Sequence, residues 1–320
     1  VLDSREEQIQ RRTGAFPEHL RSQRPRLPVI PLPLPSESLD LRSVSKDEAR
    51  CELGIDSNCA VVIWLGRLSL LTKIDPWPTY VVLERVARQL GRPLVFIECG
   101  PDDKPSSHDF LETLRRLCPS VRFHRLGGDE PVSEELKHQA LKSADIAISL
   151  VDNPQETFGL AVAEAMAAGL PLVASDWSGY RDLVRDGTDG FLIPSAWASS
   201  ASSLSVSLGW QQFTGIQSFP AVAGALAQLV QIDMAAAETA LLTLLTQPLI
   251  ARAMGSAAQR RARSLFAPEK VMNAHEELFA ELSEIRRCAP EDAHRVNKVC
   301  PQIDPVSVFA GFASHPSLTV

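Results

Sequence analysis

Over residues 60–194 short apolar runs alternate with stretches of helical periodicity. The run Val61-Val62-Ile63-Trp64-Leu65 stops at Gly66 and predicts a buried strand; residues 93–98, 121–126, 145–151, 172–175 and 191–193 read the same way. Between them the apolar positions recur at helical spacing over residues 80–90, 109–117, 133–143, 159–168 and 180–185. Strand and helix in strict alternation is the signature of right-handed β-α-β crossovers, so the predicted fold class is α/β with a doubly wound, Rossmann-like parallel sheet. In such sheets ligands bind outside the carboxyl ends of the strands, at the point where strand order reverses.

The flanks read differently. Prolines at 17, 25, 28, 31, 33 and 35 make residues 1–40 a Pro-rich linker, with an extended, strand-like entry over 27–34. Residues 41–287 form the main domain, closed by helices over 234–246, 249–265 and 268–287, and residues 288–320 read as an irregular tail. Residues 190–232 carry no charged side chain. Serine, glutamine, glycine and proline interrupt that segment too often for a membrane span, so it reads as a surface insertion over 195–232, with a peripheral membrane or partner contact left open.

Composition removes several classes. Apolar residues make up 45% and charged residues 22%, which suits a globular chain with a real core. The net charge of −7 argues against a nucleic-acid-binding surface. Six cysteines, at 51, 59, 99, 118, 288 and 300, show no metal or disulfide spacing and read as reduced thiols. With a charged opening (Asp3, Arg5, Glu6, Glu7) that is unlike a signal peptide, they imply a cytoplasmic location.

Three segments hold candidate chemistry. Gly66-Arg67-Leu68 follows the first strand and Lys73 comes six residues after Arg67. Gly66 lets backbone approach a ligand, Arg67 can bind phosphate oxygens bidentately and Lys73 adds a compact charge, although a solvated basic loop is the plainer alternative. Glu156-Thr157-Phe158-Gly159 leads into a helix whose only charged residue is Glu164. A carboxylate on so apolar a helix needs donors, for which ribose hydroxyls are suitable, unless it reaches solvent at the helix edge. The free amides of Phe158, Gly159 and Leu160 would form an anion site beside Glu156. Asp176-Trp177-Ser178-Gly179 reads as a turn with an N-cap.

Together these segments resemble retaining glycosyltransferase family 4, of the GT-B fold, in its C-terminal nucleotide-sugar-binding domain. Trp64-Leu65-Gly66-Arg67-Leu68 with Lys73 is similar to the family's strand, G-R-L and following lysine. Glu156 to Gly169 is similar to its E-x7-E motif, with Phe158-Gly159 after the first acid and Glu164-Ala165-Met166-Ala167 at the second. Gly169-Leu170-Pro171-Leu172-Val173-Ala174-Ser175-Asp176 is similar to its next strand and turn, and Val29-Ile30-Pro31 resembles the linker from the first domain. The resemblance covers about residues 29–194 and resumes weakly over 231–285.

The resemblance implies transfer of a sugar from a nucleotide-diphosphate donor to a carbohydrate or glycolipid acceptor, with retention of configuration. It implies that Arg67 and Lys73 hold the diphosphate, that Glu156 meets the sugar hydroxyls, and that Gly66 lets the loop close. It further implies that the amides of Phe158, Gly159 and Leu160 meet phosphate or sugar, that Glu164 binds ribose, and that the backbone at Leu126 and Gly127 lies near the base. No cofactor and no metal is expected, the nucleotide sugar being a substrate. The family's N-terminal acceptor domain has no counterpart in residues 1–40, so the chain would supply the donor half. Two alternatives stay open: a nucleotide-sugar-binding module inactive without that domain, and another GT-B enzyme such as a nucleotide-sugar epimerase.

Overall fold

The computed structural model describes residues 28–39, 44–69, 72–102, 108–198, 202–288 and Phe312, without the side chains of residues 108 and 202–205. Six strands form one parallel sheet: β1 (Ala60–Leu65), β2 (Leu94–Cys99), β3 (Val121–Leu126), β4 (Ile146–Ser149), β5 (Leu172–Ser175) and β6 (Gly190–Ile193). Their order is β3-β2-β1-β4-β5-β6. Every registered pair is parallel, β1 meeting β2 along its whole length and β4 through Val62 and Ile63. The predicted doubly wound sheet is therefore present, and its order reverses between β1 and β4.

Strand composition follows position. β1 and β2 are buried at every residue, which a strand covered on both faces requires. β3 lies at an edge and carries Arg122, His124 and Arg125, charges that blunt an open edge. The one carboxylate inside the central strands, Glu98, is fully buried, but it accepts from the Tyr80 hydroxyl and from Arg115 Nη2 at 2.6 Å. Desolvation, with Glu98 beside it, drives the Tyr80 phenol far above its ordinary pKa.

Helices α3 (Pro76–Gln89), α4 (His108–Arg116), α5 (Glu134–Ser143), α6 (Leu160–Ala167) and α7 (Tyr180–Leu183) make the connections. α3 begins four residues before its predicted start at 80. Asp75 caps it through the amide of Trp77 at 2.9 Å, and Pro76 sits in the first turn, where a missing N–H costs no bond. Ahead of the sheet lie the single turn α1 (Ser36–Leu39) and α2 (Lys46–Glu52). α2 was not predicted, though Ser45 and Glu48 form a capping box that is legible as S-x-x-E. Its Arg50 is buried, donates to the carbonyls of Ser143 and Ser57, and holds Asp145 at 2.9 Å.

Two corrections follow, and the insertion gains structure. The extended entry expected over 27–34 forms no strand over residues 28–34; the Leu34 amide instead donates to the carbonyl of Phe266 at 2.9 Å and its side chain enters the core. The turn at Asp176 to Gly179 does not end in a side-chain N-cap: Gly179 occupies that position, and Asp176 pairs with Arg181. The uncharged insertion, for which no elements were predicted, is regularly folded. It folds into β7 (Ser195–Trp197), α8 (Ser202–Phe213), α9 (Phe219–Ala227) and β8 (Val230–Ile232), with β7 and β8 paired antiparallel.

Trp197 of β7 stacks on Trp177 at 6.1 Å, both fully buried, so the insertion is fastened to the turn after β5. α8 faces outward with Val206, Trp210 and Phe213 at 75%, 58% and 78% exposure. α10 (Met234–Thr246), α11 (Pro248–Leu265) and α12 (Pro268–Cys288) close the domain as predicted. No single helix among the described residues is long and apolar enough to cross a membrane. The expected tail, residues 288–320, lies outside the described residues apart from Cys288 and Phe312. The thiols of Cys59, Cys99 and Cys118 are buried and unpaired, and burial pushes those of Cys99 and Cys118 up to about 11.

Candidate functional site

The carboxyl ends of β1, β2 and β3 each continue into a glycine: Gly66, Gly100 and Gly127. The Gly66 amide donates to the carbonyl of Cys99 at 2.9 Å, and that of Gly100 to Leu126 at 3.0 Å. A Cβ on Gly100 would lie 2.0 Å from the Gly66 carbonyl oxygen, and one on Gly127 would lie 2.3 Å from that of Gly100. Both glycines have positive φ, 152° and 101°. The three strand ends therefore approach with only main chain between them. Arg125 ties this edge together, donating to the carbonyls of Glu98, Leu126 and Gly100 and pairing with Asp102 at 2.6 Å.

Across the switch point two loops converge. The loop after β1 carries exposed Arg67, whose Nη2 donates to the Thr72 hydroxyl at 3.1 Å; that hydroxyl also bonds Ser69 Oγ at 2.6 Å. The Lys73 amide donates to the Ser69 carbonyl at 3.0 Å, which turns the lysine back over the strand end. The loop after β4 carries Glu156. Lys73 Nζ lies 2.7 Å from Glu156 Oε2, with side-chain exposures of 34% and 11%. Residues 83 apart in sequence thus form one ion pair between β1 and β4.

Buried Asn153 holds the second loop. Its side chain accepts from the Gln155 amide at 3.0 Å, and its carbonyl accepts from the Glu156 amide at 3.0 Å and Trp177 Nε1 at 3.2 Å. Gly159 then starts α6 in the left-handed conformation, φ 98°. A Cβ there would come within 2.5 Å of the Tyr180 ring. Tyr180 is fully buried, its hydroxyl 2.8 Å from Ser149 Oγ; burial, with the Glu156 charge adding, raises its pKa far above the ordinary phenol. Gly159 caps α6 without a side-chain bond, so the first amides of the helix face the crevice unsatisfied by the helix itself. Leu160 opens the helix 47% exposed and Phe158 packs edge-on against Phe266 at 5.9 Å.

Of the predicted residues, Gly66, Arg67, Lys73, Glu156, Phe158, Gly159 and Leu160 fall on the two loops flanking the switch point, and Leu126 and Gly127 close the β3 end. Glu164 has a protein partner that the sequence reading did not name. Its Oε1 accepts from Lys137 Nζ of α5 at 2.7 Å, so a protein cation meets it rather than solvent alone. Burial works against the Lys137 charge, but hydrogen bonds to Glu134 and Glu164 outweigh it and the lysine pKa is raised.

The residue reading missed four contributors. Gly100 repeats the strand-then-glycine signal of β1 and β3 and was within reach. Lys137 carries no sequence signal, since its partner Glu164 lies on another helix, and Asn153 went unread although its turn contacts to Gln155 and Glu156 are local. Asp152 ends the apolar run of β4, is almost wholly buried, and its Oδ1 has no hydrogen-bond partner among the described residues. Desolvation, helped by the charge of neighbouring Asp75, pushes its carboxyl up to about 8, so it is mostly protonated at neutral pH.

The switch point of the doubly wound sheet thus gathers a cation, a carboxylate and a helix amino terminus, an arrangement that can receive an anion. Residues 60–205 match the family model described as Glycosyl transferases group 1. The chain is 32% identical over 175 residues to a D-inositol 3-phosphate glycosyltransferase of Nocardioides sp., covering 50% of this chain and 37% of that one. It is 31% identical over 156 residues to the enzyme of the same name from Geodermatophilus obscurus, covering 45% and 32%. The match thus spans about a third of the length of these curated relatives.

Solved structures agree on the fold. Sucrose-phosphate synthase from Thermosynechococcus elongatus superposes with a TM-score of 0.55 at 20% identity, over 88% of this chain and 57% of that one. The pneumococcal O-GlcNAc transferase, solved with UDP and GlcNAc, gives 0.51 at 17% identity, over 88% and 44%. The shared fold is the α/β, Rossmann-like parallel sheet, and it matches 57% and 44% of these two chains.

Proposed function

We propose that this chain is the donor-binding half of a retaining glycosyltransferase, taking a nucleotide-diphosphate sugar. The observation that carries the reading is the Lys73–Glu156 pair, 2.7 Å apart at the switch point beside the start of α6. A cation and a carboxylate so placed suit the two ends of such a donor. Lys73, with Arg67, meets the diphosphate and stabilises the charge that gathers on the nucleotide as the sugar leaves; fixed cations do this without reorganising. Glu156 accepts from the sugar hydroxyls, and the amides of Phe158, Gly159 and Leu160 take phosphate or sugar oxygens.

In this reading Lys73 exchanges a carboxylate for a diphosphate, so the ion pair holds the lysine in place until the donor arrives. Glu164 keeps its ribose role, because one oxygen engaged by Lys137 leaves three lone-pair positions for hydroxyl donors. Gly66 and the main chain at Leu126 and Gly127 leave room for the donor at the strand ends. No metal is needed, the leaving charge being met by Arg67, Lys73 and the helix. A further domain supplies the acceptor side of the cleft, and the acceptor is a carbohydrate or glycolipid.

Calorimetric titration with UDP, GDP and ADP tests the reading. One nucleotide is expected to bind, and Lys73→Ala to weaken it by about 1.5 to 3 kcal/mol, the range for hydrogen bonds to charged groups. Equal affinity in variant and parent would remove the diphosphate assignment.

A further inference from the structure

At the opposite, amino end of the sheet lies a second cavity, of about 530 Å³. It opens where β4 and β5 begin, between the end of α5, the turn after α6, and the junction of α10 with α11. Leu170, Pro171, Leu244 and Leu245 give it apolar walls. Lys46, Arg92, Lys142 and Arg252 stand around it, with Asp145 as the single acid. Pockets of this size, mostly apolar with a few convergent polar groups, are the usual form of a small-molecule site.

We propose that this cavity binds an amphiphilic anion, a phosphate or carboxylate head on an apolar body. The charges decide the head. Asp145 is already satisfied by Lys46, by Arg50 Nη2 at 2.9 Å and by the Val61 amide at 2.8 Å. Arg92 is used on the Leu245 carbonyl at 3.2 Å. Lys142 and Arg252 have neither an ion-pair nor a hydrogen-bond partner among the described residues. Two cations without a protein partner, half-buried Lys142 and exposed Arg252, therefore border an apolar hollow in a chain whose net charge is −7. A simple inorganic anion would satisfy the cations and leave the walls wet; a neutral hydrocarbon would fill the walls and leave the cations unpaired.

Volume sets the size of the body. At about 30 Å³ per water-sized group the cavity of about 530 Å³ holds a ligand of up to roughly 18 heavy atoms. Because the site lies across the sheet from the Lys73–Glu156 crevice, it fills independently of the nucleotide, and the inference does not rest on the donor-site reading.

Decyl phosphate, titrated into the full chain below its micelle-forming concentration, is the probe. One equivalent is expected to bind, with inorganic phosphate and decanol each at least tenfold weaker. Lys142→Ala with Arg252→Ala is expected to weaken decyl phosphate at least tenfold; Ala251→Phe, which fills the cavity and keeps the charges, is expected to do the same. UDP titration of the variants should match the parent. Flotation with phosphatidylglycerol vesicles separates two sources of the same chemistry: co-flotation lost in the double variant assigns a bilayer lipid, and its absence assigns a monomeric ligand. No binding by the folded parent, equal binding of inorganic phosphate, or unchanged affinity in either variant would overturn the proposal.

Discussion

Asp152 is held neutral by its surroundings, and the sign of that effect fixes a pH dependence. Its carboxyl is raised from 3.8 to about 8, so the folded chain holds a proton that the unfolded chain releases. The stabilisation is complete below pH 3.8 and is lost as pH rises to about 8. Against Asp152→Asn, the parent is expected to lose relative stability across that window, by on the order of a few kcal/mol, and to level off above it. Urea unfolding of both proteins from pH 4 to 9 checks this, and a pH-independent difference would mean that water reaches the carboxylate. Glycine makes the opposite kind of demand. Gly100→Ala forces a Cβ to within 2.0 Å of main chain and is expected to cost at least about 2 kcal/mol. Gly91→Ala, with positive φ but nothing within 4 Å, should cost only about 1 kcal/mol of backbone strain. The same unfolding measurement ranks the two.

At the scale of elements, legibility followed burial and local chemistry. β3 and β5 were predicted to the residue: β5 is a short apolar run ending in serine, and β3 sets apolar Val121, Phe123 and Leu126 among charged residues and stops at Gly127. Burial on both faces gave β1 and β2 the continuous apolar signal of inner strands. α2 was missed despite its capping box, since seven residues are too short to show a helical period. The helices inside the insertion were not predicted for another reason: without charged residues, they have no strongly polar face to set a period against. α9 buries Val222, Ala223 and Leu226, whereas α8 leaves Trp210 and Phe213 in solvent. Replacing Phe213 with Ser is therefore expected to change stability by no more than about 0.5 kcal/mol, as at other exposed positions. Trp197→Ala, which removes a fully buried ring stacked on Trp177, is expected to cost about 3 to 5 kcal/mol. Thermal melts of both variants measure the contrast. The donor-site candidates were readable where motif and strand end coincide, as at Gly66 and Glu156. The partner of Glu164 was not, because Lys137 reaches it from another helix and only the tertiary fold sets that distance.

For the whole molecule, the sheet separates two poles. The carboxyl pole gathers Arg67, Lys73 and the start of α6, and the amino pole gathers Lys142 and Arg252 around the second cavity. Any nucleotide that binds only the folded state must raise its stability by mass action, by about 2.7 kcal/mol at a hundredfold excess over Kd. A thermal-shift series with UDP, GDP and ADP is expected to single out one base, and an equal response to all three would mean that the base lies outside the site. The bare meeting of Gly66, Gly100 and Gly127 has a bearing on how such a protein can change over generations. A floor made of main chain offers no side chain to exchange, and any residue larger than glycine at 100 or 127 collides with it. Under the proposed donor-site reading, ligand preference therefore cannot drift through the floor; variation has to enter through the rim, in the loops that carry Arg67 to Lys73 and Asp152 to Phe158.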